Sequence, residues 1–309
     1  MKIRLGYACI SNIIETTSSK TVTLTYYKKI DTIKKEEKLD TIIIENLNNL
    51  ETLINYNIKN NIHFFRITAK LIPLIDIVSI DLNKYKDKFI EIGKLINKHN
   101  IRVDVHADAY CILNSVNETV VLNSIKILNN LKITLDMFNI NYNIILHIGS
   151  KTNGIKESIK RFKNNFNLLN DDLKNKIILE NDDKNFNVYQ TLKLCEELNI
   201  PMCLDYHHHL CNKCTKNIEY YLPRIYKTFK TITPKMHYSS PKTKKEFRTH
   251  NSYINSNEFI NFLNILKKYN IDTDIMLEAK EKDIALIKLM YELKYKENYK
   301  IIDESSFYI

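Results

Sequence analysis

The chain has 309 residues, a formal net charge of +10, 44% hydrophobic and 27% charged residues. This is the composition of a soluble globular protein with ample material for a core, and no apolar stretch approaches the roughly 20 residues a membrane span needs. The charge admits a polyanionic partner such as nucleic acid, but the Lys, Asn and Ile bias of an AT-rich coding sequence accounts for it equally well.

Short apolar runs alternate with longer amphipathic stretches from end to end. The first strand candidate, Ile3–Ile10, is followed by the least helical stretch, Glu15–Glu37, and then by a helical pattern near 41–60. His63–Thr68 leads into 84–99, Arg102–His106 into 118–139, and Asn143–Ile148 into 155–168. Ile177–Asn181 precedes 187–199, Met202–Tyr206 precedes 216–230, Lys235–Ser239 precedes 256–269, and Asp274–Ala279 precedes 282–296. Eight strands alternating with eight helices argue for parallel pairing through right-handed crossovers, and closure into a (β/α)8 TIM barrel is the usual solution at this size. No Gly-, Pro- or Ser-rich linker divides residues 1–309, so a single domain is expected. On such a barrel Glu15–Glu37 would lie over the C-terminal face, where its Tyr and Lys residues suit a nucleic-acid contact and a disordered spacer fits as well.

Six cysteines lie mostly in or beside apolar runs, and nothing at the N-terminus reads as a signal peptide. Reduced thiols in the cytoplasm are the simplest reading. Cys211 and Cys214 have the spacing that begins a zinc site, but no second pair follows at a suitable distance, which favours incidental thiols.

Five strands share one formula, an apolar run that ends in a metal-type ligand. They end at His106, His147, Glu180, Asp205 and Glu278. A parallel barrel strand is buried on both faces, so its first polar side chain at the C-terminal rim points into the mouth. A single Glu or His at a strand end is more often a cap or a loop hydrogen-bonder than a ligand. Five ending alike are different: converging carboxylates repel unless cations sit between them, and imidazole with carboxylate suits Zn²⁺ or Mn²⁺. His208, three residues past Asp205, His237 in PKMHYSSPK and His250 in RTHNSYI enlarge the set. Of the run His207, His208, His209, only one or two are expected as ligands. Strand alternation puts Lys235 on the face of His237, where it would pair with a carboxylate or phosphate, or carry a CO₂-derived carbamate.

The chain resembles the ultraviolet damage endonucleases of the UvdE/UvsE type. The motifs that carry the likeness are LGYACIS, FFRITAKLIPL, VHADAYCILNS, LHIGS, LENDDKNF, CLDYHHHLCN, PKMHYSSPK, RTHNSYI and MLEAKEKDIALIKLM. TVTLTYYKKI, inside the early loop, also looks like the family's. The resemblance implies a barrel related to the endonuclease IV group. It implies a site of three divalent metals, with Mn²⁺ ahead of Zn²⁺, Mg²⁺ and Co²⁺, and ligands at His106, His147, Glu180, Asp205, His208, His237, His250 and Glu278. Glu180, Lys235 and Glu278 would be catalytic, and Lys235 matches a lysine that resembles the family's carboxylated one.

The implied activity is a nick immediately 5′ to cyclobutane pyrimidine dimers and (6-4) photoproducts in double-stranded DNA, leaving a 3′-hydroxyl and a 5′-phosphate. The implied enzyme is a monomer. Tyr110 would fill the stack vacated by the lesion and Tyr7 would line the pocket. Ala109 stands where the family has a glutamine, which removes an amide able to hydrogen-bond the opposite bases. Arg66, Lys70, Lys242 and Lys244 are candidate phosphate contacts. An abasic-site endonuclease or a sugar isomerase could use the same barrel and ligand types, and a non-catalytic DNA- or RNA-binding module would not need eight metal ligands.

Overall fold

A computed structural model describes residues 1–309, and in it the eight apolar runs close into one parallel barrel. The strands are β1 (Lys2–Ala8), β2 (Phe64–Ile67), β3 (Arg102–His106), β4 (Tyr142–His147), β5 (Ile177–Glu180), β6 (Met202–Asp205), β7 (Lys235–Tyr238) and β8 (Thr273–Leu277). Neighbours pair in chain order, and β8 closes on β1 with Ile3 opposite Thr273 and Tyr7 opposite Leu277.

The helices that follow the strands in turn are α1 (Thr32–Lys59), α2 (Lys86–Lys98), α3 (Glu118–Asp136), α4 (Ile155–Phe166), α5 (Val188–Leu198), α6 (Leu222–Thr228), α7 (Ser256–Lys267) and α8 (Lys282–Lys296). Each buries an apolar stripe, as Leu39, Ile43, Leu47, Leu50 and Ile54 do on α1. Asparagine side chains cap several N-termini: Asn117 accepts from the Thr119 N–H, and Asn187 and Gln190 form a reciprocal capping box on α5. No helix is long and apolar enough to cross a membrane.

Strand alternation sorts the side chains into two sets. Ile3, Leu5 and Tyr7 join the large core between barrel and helices, whereas Ala8, Phe64 and Met276 form a separate small cluster. Gly6 makes room for Phe64, because a Cβ there would collide with the Phe64 carbonyl oxygen and lie 2.8 Å from its ring.

Two regions differ from the sequence expectation. The stretch Glu15–Glu37 is mostly ordered structure: Thr16–Thr17 pairs with Ile10–Ser11, Leu24–Lys29 is a short helix, and α1 begins at Thr32. Residues 32–38 of α1 are not buried, so no apolar period marks them as helical. The chain also ends in a hairpin, β9 (Lys300–Ile301) and β10 (Ser306–Tyr308), and β10 runs antiparallel to the start of β1. Strands of two and three residues are too short to show alternation.

Candidate metal centre at the barrel mouth

Glu180 ends β5 at the centre of the mouth and is 1% exposed. Its Oε2 lies 2.9 Å from His106 Nε2 and 3.9 Å from His147 Nε2. Its Oε1 lies 3.1 Å from His237 Nδ1 and 3.3 Å from His208 Nδ1. Asp205 caps the short helix Tyr206–Cys211 through the His208 N–H at 2.6 Å, and that turn carries the His208 ring back towards Glu180. Asn181 braces the same corner: its amide donates to the Asp205 carbonyl at 2.9 Å and its oxygen accepts from the Asp205 N–H at 3.0 Å.

Four of the imidazoles are oriented in one way. His106 Nδ1 faces the Ala107 carbonyl at 2.8 Å, His147 Nδ1 the Glu180 carbonyl at 3.3 Å, His208 Nδ1 the Asn181 carbonyl at 3.0 Å, and His250 Nδ1 the Glu278 carbonyl at 2.9 Å. A carbonyl only accepts, so each Nδ1 is the donor, and a ring that gives up its second proton to a cation would offer that cation its Nε2 lone pair. His237 is turned the other way. The Arg66 guanidinium donates to its Nε2 at 2.7 Å, and its Nδ1 faces Glu180 and Glu278.

The donor set fits divalent cations. His106, His147 and Glu180 offer ligand atoms within 4.8 Å of one another, and so do Glu180, Asp205 and His237. Glu180 Oε1, Asp205 Oδ2 and His237 Nδ1 are buried with no hydrogen-bond partner. A buried carboxylate oxygen left in that state is costly, and a cation between the groups would satisfy all three.

The charges point the same way. Burial raises the Asp205 carboxyl, and the nearby Glu180 and Glu278 raise it further. Burial pushes His208 down, but Asp205 and Glu180 outweigh it and carry the imidazole up to about 11. His208 is therefore holding a proton against excess negative charge, the place a metal would take.

Beneath the cluster the barrel is filled by ion pairs. Lys235 and Asp104, both with no exposure, are in direct contact. Arg66 joins them: its Nε lies 3.2 Å from Asp104 and its Nη1 2.6 Å from Glu278. Burial raises the Asp104 carboxyl, yet Lys235 and Arg66 outweigh it and hold it at about 2. Lower still, Asp274 accepts from Arg4 at 2.6 Å and from Arg102 at 2.7 Å. Asp104 and Asp274 were not singled out in the sequence, although Asp104 is two residues before His106 and Asp274 four before Glu278, on the same strand faces.

The anticipated residues are placed unevenly. One cavity of about 430 Å³ is lined by Arg66, His106, His147, Glu180, His208, His250 and Glu278, together with Lys280 and Lys282, which were not anticipated. Lys235 shares the inward face with His237 and meets a carboxylate there. Of the histidine run only His208 reaches Glu180. His207 and His209 are buried elsewhere, with His207 Nε2 3.8 Å from Cys211 Sγ.

Two expectations are corrected. Tyr7 does not line the mouth: it is fully buried, faces the helix layer and donates to Asn57 of α1 at 2.8 Å. Arg66 is not on the outer surface: the residue is 7% exposed, and its guanidinium is held by Asp104, Glu278 and His237 at the floor of the mouth. Lys70, Lys242 and Lys244 are exposed, with Lys242 paired to Glu246. Tyr110 is 76% exposed beside the exposed Ala109, on the loop that leaves β3 at His106.

The family model described as UV-endonuclease UvdE matches residues 3–307. The UV DNA damage endonuclease of Bacillus cereus (strain B4264) is 35% identical over 307 residues, covering 95% of each chain. The crystal structure of SacUVDE superposes with a TM-score of 0.86 at 32% identity, over 94% of this chain and 98% of that one. Endonuclease IV from Thermus thermophilus has a TM-score of 0.55 at 13% identity, over 79% of this chain and 94% of that one, a likeness of fold.

Proposed function

The chain belongs to the UV-endonuclease UvdE family, and on that premise we propose that it is a metal-dependent repair endonuclease of UV-damaged double-stranded DNA. The reaction is a nick immediately 5′ to a cyclobutane dimer or (6-4) photoproduct, leaving a 3′-hydroxyl and a 5′-phosphate. The observation that supports it best is the trio of partnerless buried ligand atoms on Glu180, Asp205 and His237, at the mouth of a barrel with the family's fold.

His106, His147, Glu180, Asp205, His208, His237, His250 and Glu278 hold the metals, three in number and Mn²⁺ first among the candidates. Divalent ions held by these side chains would supply Lewis acidity to activate water and counter-charge for a phosphate and its departing oxygen. Glu180 would be the ligand shared within the set, since four histidines surround its two oxygens. Glu278 is fixed by Arg66, which with His237 keeps it ionised against burial. Lys235 supports the cluster from below through Asp104, and carboxylation of Lys235 would require that contact to open. Tyr110 offers an exposed ring for the gap in the base stack, and unstacking a damaged step costs less than unstacking an intact one. The enzyme works on DNA as a monomer.

The test is nicking of UV-irradiated supercoiled plasmid by protein stripped with a chelator and then reloaded with Mn²⁺. Nicking that needs both irradiation and metal supports the reading. Equal nicking of unirradiated plasmid contradicts it.

A further inference from the structure

Lys280 lies on the loop that leaves β8 after Glu278, and Lys282 is the first residue of α8, in the stretch Glu278 to Lys282; both line the cavity that holds the metal-type ligands. Neither ammonium group has a carboxylate within 4.0 Å or a side-chain hydrogen bond, in a mouth where Arg66 makes three such contacts. Lys282 is also held with φ at +48°, a left-handed conformation uncommon for lysine.

The loop is held from both sides. The Lys280 and Glu281 N–H groups donate at 3.0 Å to the carbonyls of Asn251 and Ser252, next to His250. Asp283, one residue on, accepts from the Ser11 hydroxyl and from the Asn12 N–H, fastening the loop after β1 to the start of α8. Two neighbouring loops therefore fix this backbone and its strained residue, while the two ammonium groups are left free.

We propose that Lys280 and Lys282 bind the non-bridging oxygens of backbone phosphates next to the scissile one, forming a phosphate-holding wall of the mouth beside the ligand cluster. Unpaired cations held on a fixed loop match a polyanionic strand and would serve no purpose for a neutral sugar. The proposal rests on the endonuclease reading of the same site.

The test compares wild type with K280A, K282A, K282R and K282G, and with K300A, an exposed lysine on the distant C-terminal hairpin. Two readouts are taken across a KCl series: kcat and KM on a Mn²⁺-dependent nick of a single-dimer duplex, and anisotropy binding of the metal-free protein to an intact duplex. Each alanine variant is expected to raise KM more than it lowers kcat, by about fivefold, and to flatten the salt dependence of log affinity by about one unit of slope. K282R is expected to restore both, and K282G to fail like K282A although glycine accepts the left-handed backbone.

Slopes equal to that of K300A in both alanine variants overturn the proposal. So does recovery in K282G, which would make the effect one of backbone strain. If wild type nicks nothing, the endonuclease reading fails, and the binding slopes on intact duplex still decide whether these lysines hold phosphates.

Discussion

The Lys235 ammonium and the Asp104 carboxylate touch each other inside the barrel, with neither side chain exposed to solvent. Two cations, Lys235 and Arg66, press on Asp104, so its carboxyl falls from the ordinary 3.8 to about 2 despite its burial. Removing one partner leaves an uncompensated buried charge, which typically costs about 3–5 kcal/mol. D104A is therefore expected to lose about that much in urea unfolding, and the double variant D104A/K235M to recover a large part of it.

The same pair sets an acid limit. A carboxyl whose folded pKa lies below its unfolded one contributes stability above the unfolded value and loses it as pH falls through the folded value. Wild type should lose this contribution between about pH 4 and pH 2, while D104N should show a flatter profile in that window. Parallel acid-unfolding curves would mean that Asp104 does not carry it.

Glu180 is the group shared by both candidate metal sets. E180Q keeps the shape of the side chain and removes its charge. It should lower bound metal, measured by elemental analysis after dialysis, and cut the nicking rate by about 100-fold or more, since even residues that only orient ligands cost 10- to 100-fold. Full metal content in E180Q would place the ions elsewhere.

Arg66 reaches Asp104, Glu278 and His237 at once, which a lysine cannot do with a single point charge. R66K should lose about 2–4 kcal/mol of stability. The salt slope of its DNA binding should stay at the wild-type value. A slope smaller by one unit would return Arg66 to the DNA surface.

The two tyrosines separate by location. Y110A should reduce nicking at a dimer by about tenfold, from the 1–3 kcal/mol of one stacking contact, with folding stability near wild type. Y7F, which removes a buried bond to Asn57, should cost about 1 kcal/mol of stability and leave KM unchanged. A109Q, which places an amide beside Tyr110, should tighten binding to a dimer duplex by about three- to tenfold through one hydrogen bond.

The barrel was legible because most strands are apolar runs buried on both faces, as Ile177–Glu180 and Met202–Asp205 are, while Arg102–His106 alternates and its inward polar residues are buried only by ion pairs. The polar residue that ends each run was legible for the same reason, which is how His106, His147, Glu180, Asp205 and Glu278 came into view together. The side of the sheet was harder to read. Tyr7 lies between Gly6 and Ala8, and the inward charge on its strand, Arg4, shows its parity only once its pairing with Asp274 is known. Counting back in twos from His106 and Glu278 would have reached Asp104, Met276 and Asp274, and so the ion pairs below the mouth. Lys280 and Lys282 could not be read from their neighbours, because only the folded loop shows that they meet no acid. The first turns of α1 bury nothing, and the strands of the terminal hairpin, although Phe307 is fully buried, are too short to leave a pattern.

The most direct measurement of the central claim uses three matched, end-labelled duplexes, one with a single cyclobutane dimer, one with an abasic site and one intact. Mn²⁺-loaded protein is incubated with each and the product ends are mapped on a sequencing gel. The account predicts a single nick immediately 5′ to the dimer, with a 3′-hydroxyl and a 5′-phosphate, and none in the intact duplex. No nick at the dimer, or cleavage of the abasic duplex alone, would contradict it.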